Sequence, residues 1–471
     1  MAQHARASSA STPRSALSSA LAWHDSRPRA SLGSVRGWAW TGVVAAIFFW
    51  MSNPLVIVPG FHLSLDLVVH WTLVAVLVTL PWARLPRVPW PWLVFHAVTY
   101  VSLAWTIDPH LTDYTALLYV KITVVALVIA ANCEPAVVCW GMGLGATIVV
   151  VLSAYAYSKQ LWGASNAASG GADFTGVGSN ENILAYTLSV ALAAMLAVLP
   201  LGARAAGRSP GRGSSRTVPL AAWVLVVAVI GYGLYRAQSG TGFLTVILLL
   251  LVLGTVVAWP AVRSWRRHHL VAGTSALVVA VAAAALLVVG VLGKELSSLS
   301  GRAPFWRAAW DSTMEISPLV GSGWGAVWTH PWSMVPLNEV AQDIYDRAGF
   351  PLSHGHNFFV DVLPELGLLG VALAVVMLAY ALREVVRNGL HSGSRDPVAG
   401  RLTLLVLVAL LTSGITEPMF TVPLGWWSLA LVVALTRQRV LVPRRDAAEG
   451  HDGSGPGVAP APREAVAAPV S

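Results

Sequence analysis

His356 stands where a long polar segment gives way to an apolar run, within Ser353-His354-Gly355-His356-Asn357-Phe358-Phe359-Val360-Asp361. Imidazole is the side chain best suited to take a hydroxyl proton near neutral pH, so a base at the mouth of a cavity is one reading of it. A loop histidine with no chemical role is the other. His354 and His356, two residues apart, also suit a metal ion, but no Cys, His or carboxylate cluster nearby in the sequence completes a usual site. No metal and no cofactor are therefore expected. Arginine supplies the second kind of chemistry. Arg236 precedes Gln238-Ser239-Gly240-Thr241-Gly242, and Arg302 opens Arg302-Ala303-Pro304-Phe305-Trp306-Arg307. A guanidinium fork matches phosphate oxygens and stays charged at any physiological pH. Two or three of Arg236, Arg302 and Arg307 converging at a membrane surface would suit a lipid-linked pyrophosphate; singly, each could merely anchor at headgroups.

Aromatic and acidic residues surround these candidates. Trp306, Trp310, Trp324, Trp328 and Trp332 lie in one loop, where they could stack on sugar rings or form an interfacial belt. Pro304 suits a first helical turn, and Trp306 and Trp310 then share a helix face, which predicts a helix lying in the interface. Asp361 and Glu365 share a face of the following helix, and acids inside apolar spans commonly have a role. Glu365 lies about half a turn away from His356 on a regular helix, so it is not expected to orient that ring. Glu417 is a further acid able to reach a basic cluster. Lys121 reads as a snorkelling side chain, and His70 and His96 as satisfied contacts between helices.

The elements that must hold these residues are membrane spans. Of 471 residues, 56% are hydrophobic and only 11% charged, against about 25% charged in a soluble domain. Apolar runs long enough to cross a bilayer core of about 30 Å recur along the chain. They predict an all-α, polytopic integral membrane protein of about twelve helices, near residues 38–58, 65–82, 90–105, 114–131, 136–157, 182–202, 219–236, 241–259, 270–292, 357–382, 402–416 and 422–436. A long extracytoplasmic loop, 293–356, joins the ninth and tenth. Residues 1–35 read as a disordered basic arm without a cleavable signal, 36–437 as the transmembrane domain, and 438–471 as a disordered tail. The net charge of +8 reflects arginines concentrated in alternate short loops, such as Arg204, Arg208, Arg212 and Arg216. That is a topology signal rather than a nucleic-acid footprint, and it places both termini in the cytoplasm. Cys133 and Cys139 sit near a cytoplasmic edge, where a disulfide is not expected.

Several motifs in order resemble the O-antigen ligase and polymerase family, bacterial membrane glycosyltransferases of the GT-C type. Ser102-Leu103-Ala104-Trp105-Thr106-Ile107-Asp108-Pro109 is similar to that family's Ser-x-x-Trp-Ser-x-Asp-Pro segment. Gly176 through Asn180, Asn182 and Ala185 resembles its entry to the next helix. Gly301-Arg302 followed by Pro318-Leu319-Val320-Gly321-Ser322-Gly323, and His356-Asn357 followed by Glu365, Gly367 and Gly370, resemble its later signatures. The family often has Ser-Arg where this chain has Ser239-Gly240, so Arg236 is the replacement available. The resemblance covers residues 100–420. It implies a GT-C-like fold in the bacterial cytoplasmic membrane and an undecaprenyl-pyrophosphate-linked glycan as donor, with its pyrophosphate held by outer-face arginines. The acceptor, a glycan, lipid or protein hydroxyl, would attack the anomeric carbon with help from His356, without metal or nucleotide. On this reading His356 and Arg302 are catalytic, and Arg236, Arg307, Asn357, Glu417 and Trp306 bind pyrophosphate or glycan. Two other classes stay open. One is a twelve-helix secondary transporter or lipid-linked glycan flippase using Asp361, Glu365 and Lys121. The other is a non-catalytic scaffold.

Overall fold

The computed structural model describes residues 28–54, 57, 61–79, 84, 86–161, 164, 174–178, 180–199, 220–262, 302–328, 338–350, 354–389 and 397–437. Among these are thirteen α-helices and no strand: α1 (Val35–Met51), α2 (Phe61–Thr79), α3 (Trp90–Val101), α4 (Pro109–Asn132), α5 (Pro135–Ser158), α6 (Glu181–Ala197), α7 (Leu220–Ala237), α8 (Gly240–Val262), α9 (Arg302–Ile316), α10 (Glu339–Ala348), α11 (Leu363–Glu384), α12 (Pro397–Gly414) and α13 (Pro423–Arg437). Six of them, α4, α5, α7, α8, α11 and α12, are long and apolar enough to cross a membrane; α1, α2, α6 and α13 are or contain shorter apolar helices. The outward faces carry Val224, Leu225, Leu250, Val375 and Val376, all exposed, a surface that water would not tolerate as a continuous belt. The chain is a multi-pass membrane protein.

Local chemistry explains where the helices begin. Asp108 caps α4 by accepting from Leu111 N at 3.0 Å, with Pro109 at the first helical position. Asn180 caps α6 by accepting from Asn182 N and Ile183 N at 2.8 and 3.1 Å. Every residue of α6 from Ile183 to Ala197 is buried, as a helix that is apolar all round must be. It runs through the middle of the bundle against α5, α7, α8 and α12, while α13 lies along α4 and α1 along α5.

Eleven of the twelve spans expected from sequence fall on described helices, and the twelfth, 270–292, lies outside the described residues. The tenth begins later than expected, at Leu363 rather than 357, after a run of turns that follows His356, whose φ of 49° is left-handed. Of the long loop, the parts described form α9, α10 and a turn-rich segment, 317–328. A helix does follow from Arg302, as expected: it is α9. These parts have a small core of their own, with Phe305, Trp328, Ile344 and Tyr345 packed together. Ala30, inside the stretch read as a basic arm, is buried and bonded to Asn132 O at 2.8 Å. Residues 1–27 and 438–471 lie outside the described residues.

The glycine-rich motifs interlock. Ser322 N and Gly323 N donate to Pro364 O and Glu365 O at 2.9 and 2.8 Å, and Leu368 N and Leu369 N donate back to Pro318 O and Leu319 O at 2.9 and 3.0 Å. Gly321 (φ 65°) and Gly367 (φ 60°) face one another; a Cβ on Gly321 would stand 2.5 Å from the Glu365 carbonyl carbon. Trp105 Nε1 donates to Val320 O at 3.0 Å, and Ile107 N to Ser322 O at 2.9 Å. Segments up to 215 residues apart in sequence are thereby hydrogen-bonded together.

Candidate active site

The turn before α11 presents two imidazoles. Gly355 N donates to Asp361 Oδ1 at 2.7 Å, and Trp306 Nε1 donates to Gly355 O at 2.6 Å, so the central peptide of His-Gly-His is held from both sides. Asn357 braces the next residues. Its Oδ1 accepts from Phe359 N and Val360 N at 2.9 and 3.2 Å, and its Nδ2 donates to Ile415 O at 3.0 Å. Phe358 N donates to Gly414 O at 2.9 Å. The histidine turn is thus fastened to the end of α12, which carries Glu417 just beyond it.

Glu417 gathers the group. Its side chain is 1% exposed, an environment that demands partners for a carboxylate. Arg302 Nη2, from the first turn of α9, donates to Glu417 Oε1 at 3.1 Å. The other oxygen, Oε2, faces His356 Nδ1 at 3.3 Å and His354 Nε2 at 3.7 Å. These approaches are within ion-pair range without hydrogen-bond alignment. The imidazole centroids are 3.8 Å apart at 33°. Burial by itself would raise the Glu417 carboxyl, but the neighbouring His356, the close approach of both imidazoles and Arg302 outweigh it and hold the group down to about 2. Burial, then the nearby His356, pushes His354 down to about 3. Glu417 is accordingly a carboxylate, and His354 a neutral imidazole, across the physiological range.

The remaining candidates fall in different places. Arg236, at the end of α7, is enclosed by Phe174, Tyr157 and Tyr232 at 5.0, 5.1 and 5.9 Å from its guanidinium carbon, a cation–π cage. The corner that follows it is tied to the site. Thr241 Oγ1 and Thr416 Oγ1 share a hydrogen bond of 2.7 Å, and Ser239 Oγ donates to Asn182 Oδ1 at 2.7 Å. Arg307 points away, 86% exposed and 3.8 Å from Asp311. Trp306 contributes its N–H to the histidine turn. Glu365 serves elsewhere: its oxygens accept from Ala326 N and Trp328 N at 2.9 and 2.8 Å. Lys121 pairs with Asp66 at 2.6 Å, and His96 Nε2 bonds Thr123 Oγ1 at 2.9 Å. Both cysteines are free and buried. The sequence reading gave His354 no place in the site; only the His-x-His alternation hinted at one. Glu417, in another loop 61 positions after His356, completes a His–His–Glu group that spacing along the chain does not reveal.

Fold and site together define a class: a helical, multi-pass membrane protein with a buried arginine–carboxylate–imidazole cluster at one end of the bundle. Among proteins of known role, the chain is 28% identical over 310 residues to the exopolysaccharide production protein ExoQ of Rhizobium meliloti (strain 1021). The match covers 63% of this chain, and the chain spans 65% of that relative's length. No protein-family model matches the chain.

Proposed function

We propose that the protein is a membrane glycosyltransferase that moves a glycan from an undecaprenyl-pyrophosphate donor to an acceptor hydroxyl on the outer face of the bacterial cytoplasmic membrane. The observation that carries this reading is the convergence of Arg302 and His356 on Glu417 within one buried cluster. A carboxylate facing Nδ1 favours the tautomer with its proton on Nδ1, which leaves the Nε2 lone pair free as a base. His356 Nε2 takes the proton of the acceptor hydroxyl as its oxygen bonds to the anomeric carbon. The bond from that carbon to the pyrophosphate oxygen breaks, and the negative charge stays on the leaving pyrophosphate. Arg302 stabilises that charge, with Arg236 as the second guanidinium assigned to it. No metal or nucleotide enters this scheme. Resemblance to the O-antigen ligase and polymerase family, and similarity to a protein named for exopolysaccharide production, support the same chemistry.

The transport reading would draw on Asp361, Glu365 and Lys121. Asp361 and Glu365 each accept from backbone N–H groups of the loop, and Lys121 is paired with Asp66, which favours transfer over ion coupling. The test is incubation of purified protein with a lipid-linked oligosaccharide and sizing of the products. A ladder identifies a polymerase and a single transferred block a ligase. His356→Ala is expected to lower the rate by roughly 10²–10⁴-fold with expression intact. Full transfer by that variant removes His356 from the mechanism.

A further inference from the structure

We propose that His354, His356 and Glu417 form a site for a single zinc-like divalent cation, and that the cation, when bound, switches the active site off. The binding claim stands on geometry alone, and the inhibitory claim rests on the transferase reading above. His354 Nε2, His356 Nδ1 and Glu417 Oε2 all lie within 4.8 Å of one another and are buried. The two imidazole-to-carboxylate separations are 3.7 and 3.3 Å. Ligands about 2.0–2.2 Å from a tetrahedral zinc stand roughly 3.3–3.6 Å apart, and two histidines with one carboxylate, leaving a fourth position open, is an established zinc donor set. Two imidazoles select zinc or its neighbours over magnesium and calcium, which take oxygen ligands.

A second observation points to a ligand. Glu417 Oε2 and His356 Nδ1 are buried and make no hydrogen bond among the described residues. A fully enclosed carboxylate oxygen left in that condition is costly, and both atoms belong to the three that lie within 4.8 Å of one another. The support expected around metal ligands is also present. Arg302 holds the other oxygen of Glu417, while Asp361 and Trp306 fix the peptide between the histidines. Arg302, the cation nearest to the cluster, opposes a doubly charged ion, so the site should bind reversibly. The inhibitory consequence follows from the tautomer. Zinc on Nδ1 of His356 takes that lone pair and leaves the ring proton on Nε2, the atom that must accept the proton of the acceptor. No bond to substrate forms and no electron moves; the base is simply in the wrong tautomer.

The test uses the full chain in detergent, purified with a tag free of histidine, stripped with chelator, equilibrated with Zn²⁺ and desalted before elemental analysis. The expected result is about one zinc per chain. It should be lost at least tenfold in His354→Phe, which keeps a ring beside His356 but removes the donor atom. Zinc absent from the wild type, or retained equally by His354→Phe, overturns the site. Should His354→Phe fail to fold, Co²⁺ added to the wild type decides the matter: intense visible bands of a tetrahedral ion support the site, and the weak bands of an octahedral one overturn it. Transfer assays then address inhibition. Zinc should stop wild-type transfer, and removal of the zinc by chelator should restore it. Loss of wild-type transfer on chelation would overturn the inhibitory role. Zinc stoichiometry as expected with no transfer in any sample would leave the site standing and sink the transferase reading instead.

Discussion

Glu417 is the residue on which the others depend, since it is shared between a guanidinium and two imidazoles. Glu417→Gln keeps the shape but removes the charge that holds His356 in the productive tautomer. Transfer should fall between about 10²- and 10⁴-fold, as when a triad carboxylate is neutralised, and product sizing with lipid-linked donor measures it. Arg302→Lys is not a conservative change, because one ammonium cannot hold the carboxylate and reach pyrophosphate as a fork does. Acid sensitivity follows from the same cluster in chelator-treated protein. Glu417 is held at about 2, below its ordinary 4.5, so the stability it contributes is present above pH 4.5 and lost as pH falls from there towards 2. His354 is held at about 3, below its ordinary 6.5, so the unfolded chain takes up its proton first and stability declines as pH drops from 6.5 towards 3. Thermal unfolding between pH 7.5 and 4.5 should therefore show a falling midpoint, and the fall should be shallower in His354→Phe. An equal slope in the variant would mean that His354 does not drive it.

The turn segment 317–328 and the start of α11 act as one element although separate in sequence. Gly321→Ala places a Cβ against the Glu365 backbone at a φ of 65°, which should cost about 2–4 kcal/mol in stability. Glu365→Gln turns an N–H₂ towards Ala326 N or Trp328 N and leaves a buried donor unmatched, at about 1–3 kcal/mol. Thermal unfolding in detergent reports both, and a wild-type midpoint for either would show that the interlock is not what holds the loop. These acids and glycines were legible as motifs. Their function was not, because a motif names the residues without naming the backbone they bond. Asp361 and Glu365 do have a role, as expected of acids within spans: they accept backbone N–H groups of the loop.

For the molecule as a whole, the orientation inferred from arginine-rich loops can be tested directly. Cys133 and Cys139 are buried, so the native background of thiol labelling should be low. An impermeant maleimide should label Asp311→Cys, beside exposed Arg307 on α9, in intact cells, whereas Ser214→Cys should react only after permeabilisation; the reverse pattern would invert the proposed topology. The sequence by itself determined the class of protein and the position of most helices, because hydrophobic length and helix caps are local properties. Asp108 and Asn180, for example, cap the helices that follow them through bonds spanning three residues or fewer. It also singled out Arg302 and His356, whose chemistry is written in their side chains. Only the tertiary structure decided which residues meet. Glu417 is brought to Arg302 across 115 positions, His354 joins the cluster, and Arg307 and Glu365 turn elsewhere. The reason is physical: a buried carboxylate must find its counter-charges wherever packing places them, and that placement is set by the fit of whole helices, which no spacing along the chain encodes.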